Sequence, residues 1–441
     1  MNNQRLLTGV LWVGMLCGVE NLGAQEAGVY SLQQLFDIAE SHSVFLQPSL
    51  TAESLADKEI SVAKSERLPN VSAGLSVSYI GDGFTTKRDF SDYQKAPIPH
   101  FGNGLSLSVE QPLYTGGAIT DGIELARMKS TASRFATELE RNNIRFNIVG
   151  YYLDIYRQLN MRKVVVENLS LAQKELEEMK ARYNQGIVLL NDITRYELLC
   201  SNLELQLIKV DNTINILQRN LSGTVGLPEE TKILPDTTMI DHLLPVADES
   251  WWQEKAIAES PTLRLATTEV DINKRIEHLD KSARLPKIGI QAGWSIDGPI
   301  LVEVPPINRN LSYWYVGLGV KYDLSSLYKN NKTEARNRMA TQQAQQKLDA
   351  ARESLEMNIR ADYIRSQESF EELRTQTKSV ELAERNYHTV SVRYSSDMAL
   401  ITDLIDAANS KLDAEQMLVN AKINTLYYYY KLQFLSGTIS H

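Results

Sequence analysis

Two stretches of this sequence are nearly free of helix breakers over lengths that few globular folds accommodate. From Tyr328 to Tyr394 there is neither Gly nor Pro, and from Ile119 to Tyr183 there is no Pro, with Gly only at positions 122 and 150. At 1.5 Å per residue, each stretch reaches roughly 100 Å as a helix. Globular helices run to about twenty residues, so rods of this kind need partners along their whole length. The apolar spacing supplies them. Val165, Leu169, Ala172, Leu176, Met179 and Tyr183 follow a 4-3-4-3-4 rhythm, and Ile193, Tyr196, Cys200, Leu203, Leu207, Val210, Ile214, Leu217 and Leu221 alternate threes and fours. These two seams predict an antiparallel coiled-coil hairpin turning between Asn184 and Asn191. Val380, Ala383, Tyr387, Val390 and Tyr394 repeat the pattern in the second stretch, whose return arm after Asp403 is richer in Ala. Cys200 falls on a seam and reads as a packed residue, not a nucleophile.

The chain is one unit written twice. Ile38-Ala39-Glu40-Ser41 recurs as Ile257-Ala258-Glu259-Ser260, Arg67-Leu68-Pro69 as Arg284-Leu285-Pro286, and Arg182-Tyr183 as Arg393-Tyr394. Each Arg-Tyr pair is followed by an aspartate at the same distance, Asp192 and Asp403. Three matches in order and in register define a first repeat over residues 25–226, a linker over 227–250 and a second repeat over 251–441. The hairpins occupy 119–221 and 328–435. Shorter helices, Ser31–Arg67 with Asp192–Leu221 and Trp251–Ala283 with Asp403–Leu435, cover the length of the long ones when placed end to end. Each repeat is thus a stave two helices wide, with its strands at one end.

The strands alternate strictly. Val71, Ala73, Leu75, Val77 and Tyr79 are separated by Ser or Gly, and Leu105, Leu107 and Val109 are separated by Ser. Ile288, Ile290, Ala292, Trp294 and Ile296, then Trp314, Val316, Leu318 and Val320, repeat this in the second unit. Strands are expected at about 70–80, 104–114, 287–297 and 311–324, each the length of a tilted membrane strand. Half-buried strands of a soluble sheet alternate in the same way. The start of the chain favours the membrane: Arg5, the apolar run Leu6–Val19 and small residues up to Ala24 read as a signal peptide over 1–24. Val71, Leu75, Ile290 and Leu318 would then face lipid, Ser72, Ser76 and Gln291 the lumen, and the loops Gly81–Asn103 and Asp297–Asn310 the outside. Four such strands cannot close a barrel, and open edges in lipid leave backbone groups unpaired, so several chains must share one.

Composition removes other classes. The net charge is −9 with no Lys/Arg cluster, which argues against nucleic acid. Two cysteines, Cys17 and Cys200, support neither a disulfide framework nor a four-Cys zinc site. The six histidines lack ligand spacing, no phosphate-binding Gly loop occurs, and no catalytic constellation can be assembled. No catalytic residue, metal or cofactor is therefore expected.

The whole mature chain resembles the TolC-like outer-membrane efflux proteins. The likeness rests on the duplication, the Leu68-Pro69 and Leu285-Pro286 junctions, the run Gln111-Pro112-Leu113-Tyr114-Thr115-Gly116-Gly117, and the twin turns Arg182-Tyr183-Asn184-Gln185-Gly186 and Arg393-Tyr394-Ser395-Ser396-Asp397. It implies a mostly α fold with a small transmembrane β part. A long antiparallel coiled-coil α-barrel would be continuous with a trimeric, twelve-stranded β-barrel to which each protomer gives four strands. It further implies a homotrimer in the outer membrane of a Gram-negative bacterium, with a tunnel projecting into the periplasm. Its partners would be a periplasmic adaptor and an inner-membrane pump of RND, ABC or MFS type, and export through it would be passive. At the closed end the resemblance assigns Asp403 and Asp406 to the pore constriction, and Asp192 and Tyr394 to helix contacts that latch it. Ala399 and Leu400 stand where relatives place an Arg of that latch, and Asp397 replaces a turn Gly. Asp192 and Asp403 also fit helix caps, and Asp406 fits a solvated face. A periplasmic coiled-coil adaptor would explain the hairpins but not the strands; an envelope enzyme with helical arms would need a site that is not visible.

Overall fold

The computed structural model describes residues 28–236, 247–303 and 305–439; the signal peptide expected over 1–24 lies outside them. Each half presents two short helices, two long strands, a very long helix and a returning helix. In the first half these are α1 (Leu32–His42), α2 (Gln47–Ser65), β2 (Asn70–Tyr79), β5 (Phe101–Tyr114), α3 (Ala118–Asn184) and α4 (Leu190–Val225). In the second they are α5 (Glu249–Glu259), α6 (Pro261–Ser282), β7 (Lys287–Gly298), β8 (Leu311–Lys321), α7 (Ser326–Ser395) and α8 (Ile401–Ser436). The first half adds short strands β1 (Gly28–Tyr30), β3 (Gly83–Thr85), β4 (Gln94–Ala96) and β6 (Ile233–Pro235). The fold is mostly helical with a small β part.

α3 has 67 residues and α7 has 70, so each extends about 100 Å. Neither is left bare: α2 and α4 pack along α3, α6 and α8 along α7, and α3 also touches α6 and α8. The seam residues Val165, Ala172, Leu176, Met179, Ile193, Tyr196, Cys200, Leu203, Val210, Ile214 and Leu221 are buried. Tyr183, expected on the seam, is 41% exposed. A strict heptad drifts around a straight helix, and by the last turn of α3 the inward position has passed from residue 183 to its neighbour.

The two short helices of each half were expected to be continuous over Ser31–Arg67 and Trp251–Ala283, and both are broken. α1 ends at His42 and α2 starts at Gln47 with Pro48 in its first turn; α5 ends at Glu259 and α6 begins at Pro261. Pro lacks an N–H and suits a first turn, where that donor would be orphaned anyway. The linker also carries structure, because β6 pairs in parallel with β1, with Gly28 opposite Ile233. The helix ends meet beside this small sheet. Leu35, Phe36, Ile148, Tyr152, Leu221, Val225, Ile233 and Leu426 are buried there in one cluster. Tyr152 donates to the Tyr30 carbonyl (2.9 Å) and accepts from the Asp236 N–H (2.7 Å), and burial pushes its phenol up to about 12.

At one end of the helices stands a four-stranded antiparallel sheet in the order β2-β5-β7-β8. Its register aligns Val71, Val109, Ala292 and Val316 in one row and Leu75, Leu105 and Ile296 in another. Ile290 and Leu318 pair on this same apolar face, while Ser72, Ser76 and Gln291 lie on the other. Ser72 and Ser108 share a 2.7 Å hydrogen bond on the polar face. Among the described residues nothing covers the apolar face: Leu75 is 77% exposed, Trp314 74% and Leu318 67%. Among them β2 and β8 each keep one free edge.

Two glycines join the end-to-end helices. Gly226, closing α4, has φ +88°, and an added Cβ would sit 2.3 Å from the His42 carbonyl oxygen; Gly437, closing α8, has φ +77° and would meet the Glu259 carbonyl oxygen at 2.8 Å. The duplication reaches this detail. Gly226→Ala is expected to cost about 2 kcal/mol or more, from the left-handed backbone plus the clash. Gly223→Ala, inside α4 with open space around it, should stabilise by about 0.5–1 kcal/mol. Urea unfolding followed by far-UV circular dichroism should separate the two.

Candidate functional site: the hairpin tips

The ends of the hairpins lie farthest from the sheet and meet there. The first turn lies between α3 and α4, with Gly186 at φ +75°; the second lies between α7 and α8, with Asp397 at φ +60°. Both turns require a left-handed residue. Asp tolerates that region better than most side chains, but less well than Gly. Above the turns the hairpins share one apolar cluster: Leu176, Met179, Ile193, Tyr196 and Leu203 from the first pack with Tyr387, Tyr394, Ile401, Leu404 and Leu412 from the second. The tip is a small four-helix core.

Asp403 and Asp406 are exposed on one face of α8, about 100° round the helix from the buried Leu404 and Ala407. Neither Asp403 nor Asp192 is an N-cap residue, because Leu400 and Leu189 hold those positions and each aspartate is the third residue of its helix. Asp403 does accept from the Leu400 N–H at 3.0 Å. That is the reach-back half of a capping box, so it satisfies a backbone donor while its face stays in solvent. Asp192 is half-buried in the first turn of α4. It lies close enough to Tyr394 for its charge to act on the phenol, which burial first and Asp192 second push up, while Arg182 opposes them. The Tyr394 hydroxyl itself is buried without a hydrogen-bond partner. The two expected latch residues are therefore neighbours that do not bond.

Sequence reasoning missed Arg182 as a contact. Its guanidinium lies over the Tyr394 ring at 5.6 Å, donates to the Tyr394 carbonyl at 3.4 Å, and pairs with the Asp397 carboxylate. The signal was present as the Arg of one turn and the Asp standing in for Gly in the other. Farther from the turns, polar ties continue between α3 and the second hairpin. Asn168 donates to Glu415 at 2.6 Å and accepts from Lys411 at 3.4 Å, and Ser391 donates to Glu175 at 3.3 Å. Burial pushes the Glu175 carboxyl and the Cys200 thiol up. Among the described residues no cluster of three or more His, Cys, Asp or Glu could hold a metal.

What this geometry offers is a contact between two helical hairpins, edged by carboxylates, about 100 Å from an uncovered apolar sheet. Residues 252–438 match the family model described as outer membrane efflux protein. The chain is 19% identical over 425 residues to the outer membrane protein TolC of Salmonella enteritidis, spanning 93% of this chain and 82% of that relative. Against TolC of Escherichia coli (strain K12) it is 19% identical over 440 residues, spanning 96% and 85%. The outer membrane protein VceC of Vibrio cholerae has the same fold, with a TM-score of 0.75, 16% identity and coverage of 93% and 97%. So has the CmeC outer membrane channel of Campylobacter jejuni, with a TM-score of 0.74, 12% identity and coverage of 92% and 86%. The open state of the Neisseria gonorrhoeae MtrE channel aligns with a TM-score of 0.67 at 16% identity, over 93% and 89%. The second half of the chain thus matches the outer membrane efflux protein family model, and nearly the whole chain is similar to TolC and shares the fold of these outer-membrane channels.

The tip core carries a pH signature. Burial pushes the Tyr387 phenol up to about 12 from an ordinary 10, and pushes the neighbouring Tyr196 phenol up as well. A raised acid pKa favours the neutral form in the fold. The stability it contributes is complete below pH 10 and is lost as pH rises through about 12, up to roughly 2–3 kcal/mol for Tyr387. Tyr387→Phe should flatten the loss of thermal stability between pH 10 and 12, read by melting curves at each pH.

Proposed function

We propose that this chain is the exit duct of a tripartite efflux or type I secretion machine. Three copies share one twelve-stranded barrel in the outer membrane, and the helices continue it as a periplasmic tunnel. Each chain is built from the repeats 25–226 and 251–441, joined by 227–250, behind a signal peptide over 1–24. The observation that carries this reading is the sheet: four antiparallel strands, apolar on one face, open at both edges and continuous with rods of about 100 Å. Hydrocarbon accepts no open edge, and an even number of strands per copy lets β8 of one chain meet β2 of the next in antiparallel sense. A soluble adaptor has no use for such a face. Transport is passive, with energy from an inner-membrane pump of RND, ABC or MFS type linked through a periplasmic adaptor. Asp403 and Asp406 line the constriction at the tip, and Asp192 and Tyr394 belong to the contact that holds it closed.

Around a threefold axis the two aspartates place six carboxylates in one ring, which repels anions and draws cations. Purified protein in planar bilayers should conduct with cation preference and be blocked by a trivalent cation. The double variant Asp403→Ala, Asp406→Ala should lose both properties while still forming trimers. Retention of wild-type selectivity and block would remove these residues from the pore; a protein that forms no conducting trimer would sink the duct.

The sheet supplies an independent check on orientation. Arg at Leu75 or Leu318, on the apolar face, should cost about 2–4 kcal/mol per subunit at mid-bilayer, whereas Arg at Ser76 on the polar face should be tolerated. The amount of heat-modifiable trimer in outer-membrane fractions measures the difference. Equal damage at Leu75 and Ser76 would overturn the assignment of faces.

A further inference from the structure

We propose that Arg182 and Asp397 form a clasp that sets how tightly the duct is closed, with Arg182 the positioning residue of the gate. The proposal rests on the duct reading above. Arg182 belongs to the last turn of α3, and everything it touches across the tip belongs to the second hairpin. Its guanidinium covers the ring of Tyr394, donates to the Tyr394 carbonyl and pairs with Asp397 in the turn that follows. These three contacts differ in kind. The ring contact is a cation–π stack. The carbonyl is one of the last of α7, where the helix dipole favours a cation. The carboxylate pair is charge-assisted. The Arg182 side chain is only 21% exposed although it sits at the outermost turn of the molecule.

The backbone supplies a second, independent observation. Position 397 is left-handed at φ +60°, whereas the corresponding turn of the first hairpin has Gly186 at φ +75°. Gly would meet that conformation without steric cost. The chain places there instead a side chain whose carboxylate reaches Arg182. The position matters for the gate. Asp397 precedes α8 by only a few residues, and Asp403 and Asp406 occupy the first two turns of that helix. For α8 to swing away from α3 and α4, the turn carrying Asp397 must leave Arg182. The apolar cluster above the turns is shared by all four helices and resists any motion alike; the clasp ties this turn alone.

A partly exposed ion pair shifts an equilibrium by roughly two- to fivefold. With one clasp in each of three chains opening together, the product is on the order of ten- to a hundredfold. The test uses wild-type trimers and the variants Arg182→Gln, Asp397→Asn, the pair combined, and Asp397→Gly in planar bilayers. Each single variant should raise the fraction of time spent in the high-conductance state by about that factor. The combined variant should go no further than either single one, because both remove the same contact. Asp397→Gly should open the duct as well, although it relaxes the turn backbone and leaves the trimer as heat-resistant as wild type. Raising KCl from about 0.1 to 1 M should shift wild type toward the open state by screening and leave Arg182→Gln nearly unmoved. Additive effects of the two substitutions, or Asp397→Gly that stays as closed as wild type, would overturn the clasp while leaving the duct intact. A wild-type protein that does not conduct at all would overturn both.

Discussion

The free backbone edges of β2 and β8 are the constraint on which the molecule depends. A sheet of four strands with Leu75, Trp314 and Leu318 bare on one side is stable neither in water, where that face is costly, nor alone in lipid, where its edges are costly. The proposed barrel, in which other copies complete the sheet, resolves both costs. In that proposal the long helices join the same wall. The segments between Tyr114 and Ala118 and between Lys321 and Ser326 are only a few residues long, so neither α3 nor α7 can turn back into a separate domain.

Such a wall needs the same thickness at every height, and the chain obtains it with helices of unequal length. α3 and α7 run the full distance; α2 and α6 accompany them near the sheet, α4 and α8 near the tips. The weak level is the middle, where one short helix stops and the next begins. There the chain places most of its remaining structure. α1 and α5 lie alongside, β1 and β6 pair, and Ser43 donates to the Thr224 carbonyl at 2.7 Å across the joint. Gly226 and Gly437 let the chain approach the His42 and Glu259 carbonyls where a side chain would collide. The mid-section is the splice that makes two helices act as one.

Most of this architecture is legible because it follows from periodicity and from the absence of breakers. The long helices are visible in what residues 328–394 lack, and the two faces of the sheet in single-residue alternation, which leaves no freedom of register. Legibility ends where one residue competes with a pattern. Pro48 and Pro261 restart helices that the apolar rhythm carries through, and a rule on helix breaking would have placed both breaks. Tyr183 fits the heptad yet is exposed, because a strict seven-residue rhythm drifts around a straight helix. Arg182 could not be found from its own helix, since all three of its cross-tip contacts depend on how the second hairpin turns. The aspartates 192 and 403 look like caps by composition, but the helices begin two residues earlier, at Leu190 and Ile401, a boundary that propensity does not resolve.

The tip and the mid-section differ in how a buried tyrosine hydroxyl is satisfied. In the mid-section Tyr152 is bonded on both sides of its hydroxyl. At the tip the Tyr394 hydroxyl is buried and unpaired, a condition that costs about 1–3 kcal/mol. It is tolerated beside an ion pair and a cation–π stack of comparable size. Contributions this small and this nearly balanced do not make a rigid joint. In the proposed duct such a joint would open on a modest input of binding energy from a partner, while the sheet and the mid-section, held by buried apolar area and paired backbone, stay fixed. The place where the sequence departs from the repeated plan, with Asp397 opposite Gly186, is also the place where the proposed clasp acts.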